Sequence, residues 1–251
     1  MTVRTALVTG AAAGIGKACA MRLAREGKRV GVLDLNLAGC QEVVAETKAA
    51  GGEAIALQAS IADRSQVQAA VEELRSAFGP VTIVINNAGI APFKDFEELN
   101  DDEWDQVFTI NTKGTFIVTQ TCLPDMKSAG WGRIINISSS SAQSGSPAQV
   151  HYSASKGAVM AMTRSLAAAL GRHGITVNNI PPGAVMGTLM SEEAAAAGNF
   201  RMSLDNLAKM IPVGHTGVAE DIANAACWLA SEDSGYVTGQ TIGVNGGRVM
   251  S

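Results

Sequence analysis

A short apolar run that leads into a glycine-rich turn constrains the fold of this 251-residue chain more than any other feature. Residues 5–9 read TALVT, as a buried parallel strand would, and Gly10, Gly14 and Gly16 follow. An amphipathic pattern then continues to Gly27. Glycines let the backbone approach a pyrophosphate closely, and the N-terminus of the following helix favours its negative charge. The segment predicts a strand, a turn and a helix that bind a dinucleotide; a turn that serves only packing is the alternative.

Asp34 stands at the end of a second predicted strand, residues 29–33. An acidic residue about this far beyond the glycine turn is placed to hydrogen-bond an adenosine ribose diol. Its carboxylate would also repel a 2′-phosphate, and the neighbours Ala13 and Leu35 supply no cation to receive one. We therefore expect NAD(H) rather than NADP(H). The alternative is that Asp34 only caps a helix over residues 37–50.

Tyr152 and Lys156 are four residues apart at the start of another predicted helix, so their side chains leave one face of it. A lysine ammonium beside a phenol favours the phenolate and lowers the tyrosine pKa, which makes tyrosine usable as an acid or base. Serines at positions 138–141 could direct a hydroxyl at the reacting oxygen. A tyrosine and a lysine also share a helix face by chance, so the pair depends on the rest of the chain.

Strand-like and helix-like segments alternate along the whole chain, which is typical of a parallel sheet covered on both faces. We predict one Rossmann-like, doubly wound α/β domain over residues 1–251, with ligands at the carboxyl ends of the strands. Its sheet is expected to have seven parallel strands flanked by helices, at residues 5–9, 29–33, 53–59, 81–85, 132–137, 175–180 and 240–244.

Composition and charge exclude several classes of function. The net charge of −4 offers no basic footprint for nucleic acid. Neither a signal peptide nor a membrane span is indicated at the N-terminus or elsewhere. The four cysteines have no C-x-x-C spacing and the three histidines do not cluster with them, so we expect no metal site. Scattered cysteines of this kind are typical of reduced thiols in a cytoplasmic protein.

Taken in order, these motifs make the chain resemble the short-chain dehydrogenase/reductase family over nearly its whole length. The shared features are the glycine turn, Asp34, Asn86-Asn87-Ala88-Gly89, Asn111, the serine run, Tyr152 with Lys156, and Pro182-Gly183. In that family the catalytic serine lies thirteen positions before the tyrosine, which selects Ser139.

The resemblance implies a catalytic role for each of four residues. Ser139 would hold the substrate oxygen, and Tyr152 would pass a proton to or from it. Lys156 would lower the tyrosine pKa and bind the nicotinamide ribose. Asn111 would hold a water that links Lys156 to solvent. The reaction expected is hydride transfer between NAD(H) and a secondary alcohol or ketone.

The resemblance also implies a cofactor site and a substrate site. Two positions depart from the family pattern: Ser60 stands where many relatives have an adenine-binding aspartate, and Pro181 precedes the Pro-Gly pair. The cofactor residues implied are Gly10, Gly14, Ile15, Gly16, Asp34, Ser60, Ile61, Asn87, Ala88, Gly89, Tyr152, Lys156, Pro182, Gly183, Val185 and Thr188. The substrate residues implied are Ser141, Gln143, Met186, Leu189 and Met190.

A substrate lid is implied at about residues 186–211. Its many methionines and leucines favour a hydrophobic small-molecule substrate, although these side chains could instead only dock the lid. One rival function is reduction of a 3-oxoacyl thioester carried by coenzyme A or an acyl carrier protein. Such reductases grip an acidic carrier with basic surface residues, and Lys127, Arg133, Arg164 and Arg172 leave this open. A remote rival is a non-catalytic nucleotide-binding module. Family members are commonly homotetramers, so we expect one here.

Overall fold

The computed structural model describes residues 3–188, 191–192, 196 and 204–250. The predicted substrate residues Leu189 and Met190, and much of the predicted lid, lie outside the described residues. Within the described residues, no helix combines the length and the apolar character that crossing a membrane requires.

The core of the molecule is a parallel sheet whose six strands have the order β3-β2-β1-β4-β5-β6. Its central strands are buried along their whole length, because helices cover both of their faces. The strands are β1 (Thr5–Thr9), β2 (Arg29–Asp34), β3 (Glu53–Gln58), β4 (Val81–Asn86), β5 (Gly132–Ile137) and β6 (Ile175–Ile180).

The predicted seventh strand at residues 240–244 is wrong, because the described part of this segment makes only isolated bridges. Thr241 pairs with Asn179, and Val244 pairs with Pro182. Side chains take positions that a strand ladder would use: Thr238 Oγ1 accepts from the Val177 N–H (3.1 Å), and Asn178 Oδ1 accepts from the Gln240 N–H (3.1 Å). The segment therefore follows β6 without extending the sheet.

Helices pack on both faces of the sheet, around two apolar clusters. One face holds α1, α2 and α9, whereas α3, α5 and the end of α7 lie on the other. β1 contributes to both clusters, since Ala6 and Val8 point to one face and Leu7 points to the other. The described helices are α1 (Gly14–Arg25), α2 (Leu37–Ala49), α3 (Arg64–Phe78), α4 (Asp101–Phe108), α5 (Thr115–Ala129), α6 (Ser141–Ser144), α7 (Val150–Leu170), α8 (Leu204–Lys209) and α9 (Ala219–Leu229).

The strand order reverses between β1 and β4, and this reversal positions the site. The chain winds outward from β1 through β2 to β3, then returns to β4 on the other side of β1. A crevice forms at the carboxyl ends of the two strands where such a sheet changes direction. The glycine turn follows β1, and Asn87, Ala88 and Gly89 follow β4, so both motifs border this crevice.

Candidate active site

The glycine turn after β1 is built so tightly that only glycine fits at two of its positions. Gly10 has φ +64°, and a Cβ atom there would lie 2.8 Å from Ala88 Cα. A Cβ atom on Gly16 would lie 2.1 Å from the Gly10 carbonyl oxygen and 2.7 Å from Asn87 Nδ2. Helix α1 can therefore begin directly against the end of β1.

The N-terminus of α1 is open to an anionic ligand. Ala13 supplies no side-chain cap, and the first turn holds no acidic residue. The free N–H groups of that turn border a cavity lined by Gly14, Ile15, Asp34 and Thr188, among others. A helix terminus of this kind attracts a phosphate through its free N–H groups and its dipole.

Asp34 lies at the other end of this cavity, where β2 ends. Its carboxylate accepts hydrogen bonds from the Ala12 N–H (3.3 Å) and the Asn36 N–H (3.1 Å). Asn36, rather than Asp34, caps α2 by accepting from the Gly39 N–H (3.1 Å). The alternative of Asp34 as the helix cap is therefore wrong, and its carboxylate borders the cavity instead.

Ser60 and Ile61 border a second cavity beside Asp34, at the carboxyl ends of β1, β2, β3 and β4. Ser60 uses its hydroxyl locally, since its Oγ accepts from the Ala62 N–H (3.3 Å). The described residues that line this cavity and the one beside α1 include no lysine or arginine. Asp34 is thus the charged side chain at this end of the crevice.

Asn87 fixes the segment after β4 to the glycine turn. Its Nδ2 donates to the carbonyl oxygens of Thr9 and Gly10, both at 3.0 Å. Thr9 Oγ1 accepts from the N–H groups of Asn87 and Ala88, both at 3.1 Å. Gly89 then borders both cavities already described and a third one. We call these three adjoining cavities the cleft.

The third cavity contains the predicted acid/base residues. Ser139, Tyr152 and Lys156 all line it, together with Pro182, Gly183, Val185, Met186 and Thr188. Ser139 follows β5, and Tyr152 and Lys156 lie on the first turns of α7. The backbone also joins these segments, since the Ser140 N–H donates to the Pro182 carbonyl (3.0 Å). The structure therefore brings the serine, the tyrosine and the lysine together at one end of the cleft.

Burial controls the protonation of both titratable groups in this cavity. Burial raises the pKa of Tyr152, and a hydrogen bond with Ser139 partly offsets the rise. Burial also lowers the pKa of Lys156 to about 8. Lys156 Nζ lies 5.9 Å from the centre of the Tyr152 ring and donates to the Ile137 carbonyl (2.9 Å). In the protein alone, the pKa of Tyr152 is therefore shifted upwards by burial, opposite to the direction expected from the neighbouring lysine.

Asn111 is fully buried in a π-helical turn, Thr109–Gly114, between α4 and α5. Its Oδ1 accepts from the Ile90 N–H (2.9 Å), and its Nδ2 donates to the Ile90 carbonyl (2.9 Å) and to Ser155 Oγ (3.0 Å). A Cβ on Gly89 would lie 2.8 Å from Asn111 Oδ1 and 3.2 Å from Lys156 Nζ. Asn111 therefore ties the segment after β4 to α7 beside Lys156. Its role in holding a water stays a prediction.

Two predicted substrate residues do not line the described cavities. Ser141 begins α6 and directs its hydroxyl at Ser139. Gln143 lies one position before the end of the same short helix. Conversely, sequence reasoning missed Ser138, Ala91, Phe93, Gln149 and Ser191, which line the catalytic cavity.

Gln149 is the missed residue with the clearest structural role. It is buried at the N-terminus of α7, three positions before Tyr152, and this spacing places the two residues near each other. Its Nε2 donates to the Ala91 carbonyl (2.9 Å), and the Lys94 N–H donates to the Ala148 carbonyl (2.8 Å). Together these bonds hold the segment after β4 against the start of α7.

Comparison with known proteins assigns the family. A family model described as enoyl-(acyl carrier protein) reductase matches residues 10–248, which is nearly the whole chain. The chain belongs to the short-chain dehydrogenase/reductase family. Members of this family are oxidoreductases that use a nicotinamide cofactor, and this holds for the present member.

Relatives in this family are similar over almost their full length. The chain is 40% identical to a (3R)-3-hydroxyacyl-CoA dehydrogenase of Canis lupus familiaris, with 98% of this chain and 96% of the relative covered. It is 39% identical to the 3-oxoacyl-(acyl-carrier-protein) reductase FabG of Staphylococcus aureus, with 98% of each covered. A variant of the actinorhodin polyketide ketoreductase, solved with NADPH, superposes with a TM-score of 0.93 at 33% identity, covering 98% and 97%.

The cleft of this family member fits a nicotinamide dinucleotide cofactor. Glycines hold the turn open, the uncapped N-terminus of α1 offers N–H groups for the pyrophosphate, and Asp34 offers a carboxylate for a ribose. At the other end, Lys156, Gly183 and Thr188 would surround the nicotinamide half. The described residues contain no group of three or more histidine, cysteine or acidic residues arranged to hold a metal ion.

Substituting Gly16 by alanine is expected to lower both stability and cofactor binding. The new Cβ would meet the Gly10 carbonyl oxygen at 2.1 Å, so α1 or the turn must move. Overpacking of this kind costs about 1–3 kcal/mol or more. We expect the melting temperature to fall by roughly 4–10 °C, and NADH affinity, measured by fluorescence titration, to fall by about tenfold or more. Gly171→Ala is the matched control, because no atom of the described residues lies within 4 Å of its Cβ position. An unchanged NADH affinity in Gly16→Ala would contradict this account of the turn.

Proposed function

We propose that this protein interconverts a hydrophobic secondary alcohol and its ketone with NAD(H). The observation that carries the proposal is the joint placement of Asp34 and the serine, tyrosine and lysine group at opposite ends of one cleft. A dinucleotide bound along the cleft would thus have its adenosine ribose beside the carboxylate and its reactive ring beside Tyr152.

The charge at the Asp34 end of the cleft favours NAD(H). NADP(H) differs from NAD(H) by a 2′-phosphate on the ribose that Asp34 would face. The carboxylate would repel this phosphate, and the adjacent Leu35 is exposed and uncharged. The described residues that line this end of the cleft supply no cation. These features favour NAD(H), even though a solved relative was crystallised with NADPH.

The lining of the catalytic cavity favours an uncharged substrate. Apart from the catalytic group, that lining is largely apolar and includes Ala91, Phe93, Val185 and Met186. Lys156 is the positively charged side chain among the described lining residues, and it is hydrogen-bonded inward to Ile137. A neutral, apolar ketone or alcohol is the ligand that this chemistry favours.

The three side chains divide the chemical work at the substrate oxygen. The bound cofactor supplies or accepts the hydride. Ser139 holds the substrate oxygen through its hydroxyl. Tyr152 donates a proton to this oxygen when a ketone is reduced, and accepts one when an alcohol is oxidised. Lys156, while protonated, stabilises the phenolate that forms in the first direction.

The two directions of reaction are expected to depend oppositely on pH. Because burial raises the pKa of Tyr152, the phenol form dominates at neutral pH, and it is the form that ketone reduction needs. Alcohol oxidation needs the phenolate, so its kcat/KM should rise with pH from about pH 6 to about pH 10, while reduction stays level and then falls. Loss of the Lys156 proton above its pKa of about 8 should make the rise less steep. A flat profile for oxidation would show that Tyr152 is not the base.

A second candidate substrate is a 3-oxoacyl thioester, because one of the relatives described above is named for such a substrate and another for a 3-hydroxyacyl-CoA. Arg133 is one of the four basic residues that leave contact with an acidic carrier open, but its side chain is not available at the surface. The Arg133 side chain is buried, stacks on Trp131 at 4.3 Å and donates to the Ser231 carbonyl (3.0 Å). Lys127, Arg164 and Arg172 are exposed and remain able to contact a carrier.

Relative kcat/KM values with NADH distinguish the two candidates. The substrates would be cyclic and aryl-alkyl ketones on one side, and a short 3-oxoacyl-CoA on the other. The proposal expects the free ketones to be reduced at least as efficiently as the thioester. If kcat/KM for the thioester exceeded that for the ketones by more than about 100-fold, the proposed substrate class would be wrong, although the reaction type would stand.

We further propose a cytoplasmic homotetramer. The four cysteines are free and buried, as suits a reducing compartment. Small residues such as Ala154, Ala158 and Ala161 lie on the outer side of α7, and Phe116 of α5 is 42% exposed. These helices would allow close approach of a second copy, and light scattering in solution tests the assembly.

A further inference from the structure

We propose that Ser141 is a positioning residue that turns the hydroxyl proton of Ser139 towards the substrate oxygen. This role deepens the proposed function and rests on it. It also replaces the direct substrate contact that the sequence predicts for Ser141.

The hydrogen bonds at Ser139 restrict its hydroxyl to the role of a donor. Ser139 Oγ accepts a hydrogen bond from the Ser141 N–H (3.1 Å) and another from the Ser141 hydroxyl (2.8 Å). A serine oxygen has two lone pairs and one proton. With both lone pairs engaged by Ser141, Ser139 can act towards other groups only as a donor.

A Ser139 hydroxyl that can only donate suits a ketone oxygen better than the hydroxyl of an alcohol. The carbonyl oxygen of a ketone, and the negative oxygen that develops during hydride transfer, both accept from Ser139. An alcohol could not donate its own proton to Ser139, so that proton must go to Tyr152. Ser141 thereby prevents an unproductive hydrogen bond between the alcohol and the serine.

Ser139 also acts on Tyr152. Before a substrate binds, its hydroxyl lowers the pKa of Tyr152 against the effect of burial. A hydroxyl that itself receives a hydrogen bond is a stronger donor, so the Ser141 hydroxyl adds to this effect. Lys156 is the charged group that faces the Tyr152 ring, and substitutions at position 141 leave it in place.

The position of Ser141 argues against direct binding of the substrate. It is the first residue of the short helix α6 and is partly buried. It is not among the residues that line the catalytic cavity, whereas Ser138 and Ser139 are. Its polar atoms point at Ser139, so its influence on the reaction passes through that residue.

Three variants separate positioning from other roles. Ser141→Ala removes the hydroxyl but keeps the N–H group. Ser141→Thr restores a hydroxyl at the same position. Ser144→Ala is the matched control. It removes a hydroxyl from the same helix, and among the described residues this hydroxyl donates to the carbonyls of Ser140 and Gly145.

In Ser141→Ala we expect kcat to fall by about tenfold, with KM unchanged within about twofold. Ser141→Thr should recover most of the loss, and Ser144→Ala should match the parent protein. A raised KM with an unchanged kcat would overturn the proposal, because it would make Ser141 a substrate contact. Equal kcat values in Ser141→Ala and the parent would also overturn it.

A second readout needs no turnover. The chain has two tyrosines, and Tyr236 is fully exposed, so selective carbon-13 labelling of the tyrosine ring lets the signal of Tyr152 be followed against one other signal. We expect the Tyr152 pKa to be higher in Ser141→Ala than in the parent, and unchanged in Ser144→Ala. An unchanged Tyr152 titration in Ser141→Ala would contradict the influence of Ser141 on Tyr152 through Ser139. Because this measurement is made on the protein alone, it tests Ser141 even if the proposed reaction fails.

Discussion

Tyr152→Phe is expected to reduce kcat by about 1,000-fold or more in both directions, while NADH affinity stays within about threefold. The substitution removes only the hydroxyl of a side chain that is 7% exposed, so the ring still fills its place beside Ser139. No described neighbour can take over its proton transfer, since Lys156 Nζ is held on the Ile137 carbonyl and Ser139 is oriented by Ser141. Steady-state turnover and NADH fluorescence titration measure the two quantities.

Tyr236→Phe is the matched control for this prediction. It makes the same chemical change at the only other tyrosine of the chain, which is fully exposed. Activity in this variant should equal that of the parent protein. If Tyr152→Phe kept a tenth or more of the parent kcat, tyrosine would not be the acid/base, and the division of roles proposed for the catalytic group would fail.

Removing the negative charge at Asp34 and adding a positive charge beside it is expected to reverse the cofactor preference. The parent protein should prefer NADH to NADPH by about tenfold or more in kcat/KM. In Asp34→Asn with Leu35→Arg, the ratio should shift by roughly 100-fold to 1,000-fold towards NADPH. The amide keeps an oxygen that can accept from Ala12 or Asn36, so the turn should survive. Leu35 is 65% exposed and tolerates a longer side chain.

The single variants act as controls for the reversal. Asp34→Asn alone should weaken the binding of NADH and relieve the repulsion of NADPH. Leu35→Arg alone should mainly strengthen the binding of NADPH. The melting temperatures of all three should stay close to that of the parent. A parent protein that already prefers NADPH would contradict the role given to Asp34, whatever the variants do.

Much of the fold could be predicted because its signals are local. Apolar runs such as residues 132–137, bounded by turns, became strands with the expected limits. The failure at residues 240–244 has a different origin. Between this segment and β6, the side chains of Thr238 and Asn178 accept hydrogen bonds from the backbone N–H groups of Val177 and Gln240. These groups are then not available for a regular strand ladder. Such competition between side chain and backbone leaves no periodic pattern in the sequence.

The candidate site could be predicted only in part, for a related reason. Ordered motifs located Ser139, Tyr152 and Lys156, and the structure places them together. The bond from Ser141 to Ser139 and the bond from Gln149 to Ala91 depend on the path of loops that follow β4 and β5. Those paths are set by tertiary packing, so residue spacing alone could not distinguish a substrate contact from a positioning residue.

The protonation of the site is a further point at which sequence reasoning was incomplete. The spacing of Tyr152 and Lys156 indicates electrostatic stabilisation of the phenolate. It does not show that both groups are almost fully buried. Desolvation raises the pKa of the phenol and lowers that of the ammonium, so each group is shifted towards its neutral form. The positive charge of an oxidised nicotinamide would act in the opposite direction.

The most direct test of the central claim is consumption of NADH by the parent protein with a cyclic or aryl-alkyl ketone, run beside NADPH and beside Tyr152→Phe. The proposal predicts ketone-dependent oxidation of NADH, slower oxidation of NADPH and loss of both in the variant. Binding of NADH without turnover on any ketone or 3-oxoacyl thioester would contradict it, and would leave a nucleotide-binding protein whose cleft does no hydride transfer.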